Sequence, residues 1–407
     1  MFLSENDLIK LKEQYGTPLY VYSEAILRDR CREVKSLLPH RNIRINYSAK
    51  ANTNPELLKI IHSEGFDVDA MSPGEIIIEE WAGFERDRIL YISNNVSAEE
   101  MLFAIERGIL VSVDSLSQLE LFGQINPGGR VAVRFNPGIG AGHHEKVITA
   151  GRKTKFGVQK DFVPEVKELL KKYSLNLEGI NQHIGSLFLD GEVYADSIRA
   201  LFDIAHEFPQ LKFIDFGGGF GVPYMPHEKR LDLEGLGQRL DELIEEFLKA
   251  YPNKEIGFKM EPGRYIVAEC GLLLGSVHAV KQNYDTRYLG TDLGMNVLIR
   301  PAMYDSYHEA SLIKVGEGEA SGQEETVTLV GNICESGDIL ARDRRLGKAT
   351  EGDLIVLHNA GAYGYVMSSN YNCRLRPAEV LIDLEGKARL IRKRETLDQL
   401  LLNFIPS

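Results

Sequence analysis

Four cysteines, Cys31, Cys270, Cys334 and Cys373, are spread over 407 residues with no CxxC pair among them. That scarcity argues against a disulfide framework and against a zinc site, both of which need clustered thiols. Long hydrophobic runs are missing too: nothing approaches the ~20 apolar residues that cross a bilayer, so no membrane partner is expected. Positive charge is in short supply, with 47 Lys and Arg against 59 Asp and Glu and a formal net charge of -12. A nucleic-acid partner is not expected, because such binding needs a basic face that neutralises phosphates. The segment MFLSENDLIK carries acidic residues where a secretory or transit peptide would carry basic ones, and a cytoplasmic location is expected. Small-molecule chemistry is what these absences leave.

What is present is an ordinary globular composition, 43% apolar and 26% charged, in a chain longer than one hydrophobic core usually supports. Eight short apolar runs alternate with amphipathic segments: Ile45 to Ala49, Phe66 to Ala70, Ile89 to Ile92, Leu110 to Asp114, Val131 to Phe135, Gly179 to His183, Phe213 to Phe216 and Ile256 to Met260. This βαβα order over such a length predicts an α/β fold with a closed TIM-type (β/α)8 barrel rather than an open doubly wound sheet. Helix starts are expected at Asn54-Pro55, at Ser72-Pro73-Gly74-Glu75 and at Ser97-Ala98-Glu99-Glu100, the last two as capping boxes, with stops at Gly65 and Gly108. Beyond Gly263 the texture turns strand-like, in YIVAECGLLLGSVHAVKQ, ETVTLVG, DLIVLHNAG and AEVLIDLEGKARLIRKR. The expected division is a barrel over 24–264 and a C-terminal, mainly β domain over 265–407 that residues 1–23 join through the strand-like TPLYVYS.

In a TIM barrel the chemistry sits where strands run into the following loops, and phosphate commonly binds after strands seven and eight. Here strand one ends in Tyr47-Ser48-Ala49-Lys50, strand two runs into Asp69, and strand six ends in His183-Ile184-Gly185-Ser186. Strand seven ends in Gly217-Gly218-Gly219-Phe220-Gly221 and strand eight in Glu261-Pro262-Gly263-Arg264. Taken singly, a strand-end lysine is usually a solvated charge, a glycine run a tight turn, and a histidine a satisfied core residue. On one rim they fit one device. Glycine amides and Arg264 can close on a phosphate, Lys50 can reach an aldehyde as a nucleophilic amine, and Glu261 can keep a pyridine nitrogen protonated.

YSAKAN, HIGS, GGGFG, EPGR, CESGD and GAYGYVMSSNYN occur in this order, and with them the chain resembles the fold-type III pyridoxal-phosphate decarboxylases over essentially its whole length. The resemblance implies an alanine-racemase-like architecture and pyridoxal 5'-phosphate as cofactor. It implies Lys50 as the cofactor-holding lysine, His183 stacked on the ring, and Glu261 at the pyridine nitrogen. Ser186, Gly218, Gly219, Gly263, Arg264 and Tyr363 would surround the phosphate or its approach, and Asp69 would lie near Lys50. The family's usual SGGE after strand two reads Ser72-Pro73-Gly74-Glu75 here, a departure at a helix start.

The family acts on diaminopimelate, ornithine or arginine, so the distal end of the substrate decides. Gly294-Met295-Asn296 followed by Arg300-Pro301-Ala302-Met303-Tyr304 resembles the diaminopimelate-type motif. Arg300 and Tyr304 beside Arg264 would take the distal carboxylate, for which a planar guanidinium fork is suited. Glu335 would take the distal ammonium. The bland alternatives are a surface charge before a proline turn for Arg300 and a small buried hydrophobe for Cys334. In the resembling family the CESGD loop enters the partner subunit's site, which implies a homodimer. The expected reaction is decarboxylation of meso-2,6-diaminopimelate to L-lysine, the last step of lysine biosynthesis, with Cys334 and freed Lys50 both candidate proton donors. Rival readings are a decarboxylase of another amino acid or of a carboxylated polyamine precursor, a racemase on a similar barrel, and a catalytically silent cofactor-binding regulator.

Overall fold

A computed structural model of the chain describes residues 1–39, 41–139, 141–142, 150–151, 154–315 and 324–405. They form two compact units, one of Arg28–Pro223 with Lys229–Ile266, the other of Met1–Leu27, Tyr224–Glu228 and Val267–Ser407. No helix among the described residues is long and apolar enough to cross a membrane.

The first unit is a closed parallel barrel. Its strands are Ile43–Ser48, Asp67–Ala70, Ile89–Ile92, Leu110–Val113, Arg130–Asn136, Asn176–Asn181, Phe213–Asp215 and Gly257–Met260, numbered one to eight below. Each pairs with the next, and the ring closes where Phe258 to Met260 of strand eight run beside Ile43 to Ile45 of strand one. The eight expected runs are these eight strands, displaced by up to three residues at their ends. Local chemistry starts the helices between them. Asn54 accepts the Glu56 N–H with Pro55 in the first turn, and Leu57, Leu58, Ile60 and Ile61 then bury one side of Pro55–Ser63. Ser97 and Glu100 form a reciprocal capping box on Ala98–Ile105.

Ser72 corrects one expectation. Its hydroxyl does accept the Glu75 N–H, but the Glu75 carboxylate accepts the Met71 N–H at 2.7 Å, so the box is not reciprocal. The carboxylate ties down the loop that leaves strand two instead of the helix cap.

The second unit is built on a sheet in which Leu19–Ser23 lies between Gly271–Asn283, antiparallel, and Ala378–Ile382, parallel. The segment TPLYVYS therefore joins this sheet as expected. Leu354–Leu357 pairs with Gly271–Asn283 and with Ala310–Ile313, and the outer part of Gly271–Asn283 pairs with Thr286–Thr291 past a register shift at Val277/Ala279. Leu19, Val21, Leu272, Leu274, Leu354, Val356, Val380 and Ile382 form its core with Leu8 and Leu11 of the helix Glu5–Tyr15. The strand-like reading fails over Tyr265 to Cys270: Arg264–Val267 is a helical turn, and the strand begins at Gly271. Tyr265, Ile266, Val267, Ala268 and Cys270 are all at most 1% exposed, so the run is apolar on every side and carries no period that separates turn from strand.

Candidate active site

The rim at the C-terminal ends of the barrel strands collects the reactive side chains of the first unit. Lys50 lies in the short turn Ala49–Ala51 directly after strand one. That turn is anchored by Asp69 at the end of strand two, whose Oδ1 accepts the Ala49 N–H at 3.1 Å and whose Oδ2 accepts the Ser48 hydroxyl at 3.0 Å. Burial pushes the Asp69 pKa up to about 7, against the pull of the Lys50 charge. Asp69 thus fixes the backbone beside Lys50 and places a carboxyl near its amine.

After strand six, His183 receives the Gly218 N–H on Nδ1 at 3.2 Å. In the neutral ring this puts the proton on Nε2. Burial, then the charges of Lys50 and Arg134, holds the His183 pKa well below its ordinary value, so the ring stays neutral. The backbone after strand seven comes very close to its neighbours. A Cβ on Gly218 would run into the Glu261 carbonyl oxygen, and Gly219, at φ +110, would meet the Gly185 carbonyl oxygen at 2.7 Å. Only glycine fits here. On the same side Arg264, 6% exposed, donates from Nε and Nη2 to the Ser186 hydroxyl at 3.3 and 2.9 Å. Gly263 lies against Ser48 and Ala51 of strand one and its turn.

Glu261, 5% exposed directly after strand eight, has its pKa raised well above the carboxylate range, first by burial and then by Asp215 and Asp69. Asp215, fully buried at the end of strand seven, is raised by burial as well, although its Oδ1 accepts the Gly217 N–H. Glu261 Oε1 and Asp215 Oδ2 are both buried with no hydrogen-bond partner among the described residues. Asp215 shares a side-chain hydrogen bond with Glu261, and the two oxygens left over can accept from a group that brings a proton. A pyridinium N–H is such a group. With the glycine cradle, the Arg264–Ser186 pair and Lys50 on the same rim, these residues fit pyridoxal phosphate.

The other expected residues lie in the second unit. Arg300 opens the short helix Arg300–Tyr304 and is 1% exposed, so it is no surface charge. Its Nη1 donates to His308 Nε2 at 2.8 Å and its guanidinium stands 4.5 Å from the centre of the Tyr224 ring. Tyr304 is partly exposed. Cys334 and Glu335 are exposed in a loop whose base is clamped by Asp338, which accepts the Ile333 N–H at 2.7 Å and the Met295 N–H at 2.6 Å. Exposure removes the buried-hydrophobe reading of Cys334. The Cys334 N–H is donated to Asn372 at 2.7 Å, and the Tyr371 hydroxyl donates to Glu335. Tyr363 is partly exposed at φ +56, a conformation a bulky side chain adopts only where its surroundings hold it there.

Residue patterns alone passed over Arg134 and Asp215. Arg134, 7% exposed on strand five, is charged by position against Glu261, Asp114 and Asp69. Its signal was a lone arginine in the apolar run VAVRF, and that of Asp215 an aspartate two residues before the glycines.

Residues 24–268 match the family model of the pyridoxal-dependent decarboxylases, pyridoxal binding domain. The chain is 43% identical to the diaminopimelate decarboxylase of Methanothermobacter thermautotrophicus over 97% of its own length and 93% of that protein. The chain belongs to the diaminopimelate decarboxylase family of pyridoxal-dependent decarboxylases. It is 36% identical to the Escherichia coli K12 member over 98% of this chain and 96% of that one. Among solved structures, diaminopimelate decarboxylase from Helicobacter pylori complexed with L-lysine superposes with a TM-score of 0.88 at 31% identity, covering 97% of this chain and 98% of that one. As a family member the chain is an enzyme that uses pyridoxal phosphate.

Proposed function

We propose that this enzyme decarboxylates meso-2,6-diaminopimelate to L-lysine and carbon dioxide, the last step of lysine biosynthesis, in the cytoplasm. The observation that carries the reading is the 43% identity over nearly the full length of a diaminopimelate decarboxylase. Arg300, Tyr304 and Glu335 support it, since they supply the cation, the hydroxyl and the anion that a distal amino-acid centre can use.

When bound, pyridoxal phosphate supplies the electron sink for the pair released from the bond between Cα and the departing carboxylate. Lys50 would hold it covalently through its amine. Glu261 would hold the pyridine nitrogen in its protonated form, and neutral His183 would lie against the ring. Ser186, Gly218, Gly219, Gly263 and Arg264 would surround the phosphate, with Tyr363 at its approach, and the Gly218 N–H also orients His183. Arg300 and Tyr304, with Arg264, would grip the distal carboxylate and Glu335 the distal ammonium, and these contacts would orient the departing carboxylate. Cys334 or the freed Lys50 returns a proton to Cα. In domain terms 24–264 binds the cofactor and 1–23 with 265–407 completes the site. The exposed loop of Cys334 and Glu335 serves the partner in a homodimer, the commonest closed symmetry.

The test is turnover. The cofactor-loaded enzyme is expected to release L-lysine and carbon dioxide in equal amounts from meso-diaminopimelate; turnover of ornithine or arginine with no lysine formed would overturn the substrate assignment.

A further inference from the structure

We propose that His308 is the positioning residue that aims Arg300 at the distal carboxylate, and so sets the preference for a substrate that carries one. The inference deepens the function proposed above and rests on it.

The geometry lies within the second unit. Arginine is always protonated and only donates, so the 2.8 Å contact between Arg300 Nη1 and His308 Nε2 requires a lone pair on Nε2. That lone pair is secured from the other side of the ring: Nδ1 lies 2.8 Å from the His358 carbonyl oxygen, which can only accept, so Nδ1 carries the proton. One backbone carbonyl at the end of Leu354–Leu357 thus determines the tautomer, and the tautomer determines that the imidazole accepts from the guanidinium. The Tyr224 ring completes the cage, 4.5 Å from the Arg300 guanidinium and edge-on to His308 at 5.4 Å and 77°. Arg300 is 1% exposed and His308 0%. A buried guanidinium held on one face by a ring and at one nitrogen by an imidazole has little freedom to swing. Its direction is fixed before any carboxylate arrives, which is what a bidentate grip needs and what lowers the ordering cost of binding.

A purely space-filling residue would leave the choice of ligand unchanged, and here the consequence is specific to the carboxylate. L-Lysine retains the distal carboxylate of diaminopimelate; cadaverine has the same chain and lacks it. The ratio of their affinities reads the grip on the distal carboxylate, in which Arg300 takes part with Tyr304 and Arg264.

Two substitutions separate the atoms. In His308→Asn the amide takes the place of Nδ1, keeping the bond to His358 and losing the acceptor for Arg300. In His308→Gln the side-chain oxygen takes the place of Nε2 and keeps that acceptor. Equilibrium binding of L-lysine and of cadaverine to the holoenzyme is measured with kcat and KM for meso-diaminopimelate. His308→Asn is expected to weaken L-lysine about ten-fold or more, the loss of one hydrogen bond to a charged group, to leave cadaverine unchanged, and to raise KM more than it lowers kcat. His308→Gln is expected to restore most of the ratio. Combined with Arg300→Lys, His308→Asn is expected to add no further loss, because both act through one contact. Equal weakening of both ligands, full additivity with Arg300→Lys, or an unchanged ratio in His308→Asn overturns the proposal. If the unsubstituted enzyme forms no lysine from meso-diaminopimelate, it is the substrate assignment that fails.

Discussion

The N–H of Gly218 is donated to Nδ1 of His183 at 3.2 Å, so the glycine run after strand seven fixes the tautomer of the imidazole at the end of strand six. A neutral ring with its proton on Nε2 can lie flat against a cofactor without placing a positive charge beside the cation at the pyridine nitrogen.

The depressed pKa of His183 has a consequence for stability. Below about 6.5 the unfolded chain takes up a proton on this histidine that the folded chain refuses, so its contribution to stability falls as pH falls through that window. Thermal melts of cofactor-free wild type and His183→Gln between pH 7 and 5 should show the wild type losing more on acidification. Parallel curves would mean that the buried ring accepts its proton freely.

Glu261 carries the opposite sign. Its pKa is raised by burial and by Asp215 and Asp69, so above the unfolded value near 4.5 the folded chain must either hold a proton or bury a charge, and stability falls as pH rises. Cofactor-free Glu261→Gln is expected to melt higher than wild type at pH 8 and to converge with it near pH 4.5, while catalysis drops by ~100-fold or more as the pyridine nitrogen loses its proton. A variant less stable than wild type at pH 8 would contradict this account of the buried carboxyl.

Gly218→Ala drives a methyl group into the Glu261 carbonyl oxygen, and the backbone must move where the cofactor is held. A cofactor dissociation constant raised about ten-fold or more is expected, in line with the ~1–3 kcal/mol that overpacking costs. Gly74→Ala is the control: in the helix Pro73–Ala82 its new Cβ meets only Ser72 Oγ at 3.7 Å, and cofactor binding should be unchanged. Equal effects from the two substitutions would remove the argument that the strand-seven glycines form a cradle.

Much of this was legible in the residues. The eight barrel strands follow from the alternation of apolar runs, and the rim follows from where those runs end, because a parallel barrel puts all its strand termini on one side. Burial was less legible. Arg300 before Pro301 reads equally as surface charge or substrate grip, and what distinguishes them is His308 eight positions on and Tyr224 in a separate stretch of chain, contacts that only folding creates. Asp215 went unread because an aspartate before a glycine turn is common for local reasons, and here it does accept the Gly217 N–H. Its pairing with Glu261 depends on strands seven and eight being neighbours.

Lys50 is the residue on which the proposed cofactor site depends, and one measurement tests it directly. Holoenzyme reduced with borohydride and digested should carry the pyridoxyl mass on the peptide containing Lys50, in the sequence YSAKAN, with the visible absorbance bleached in step. A label on any other lysine, or bleaching with no label at Lys50, would contradict the assignment of the barrel rim as the cofactor site.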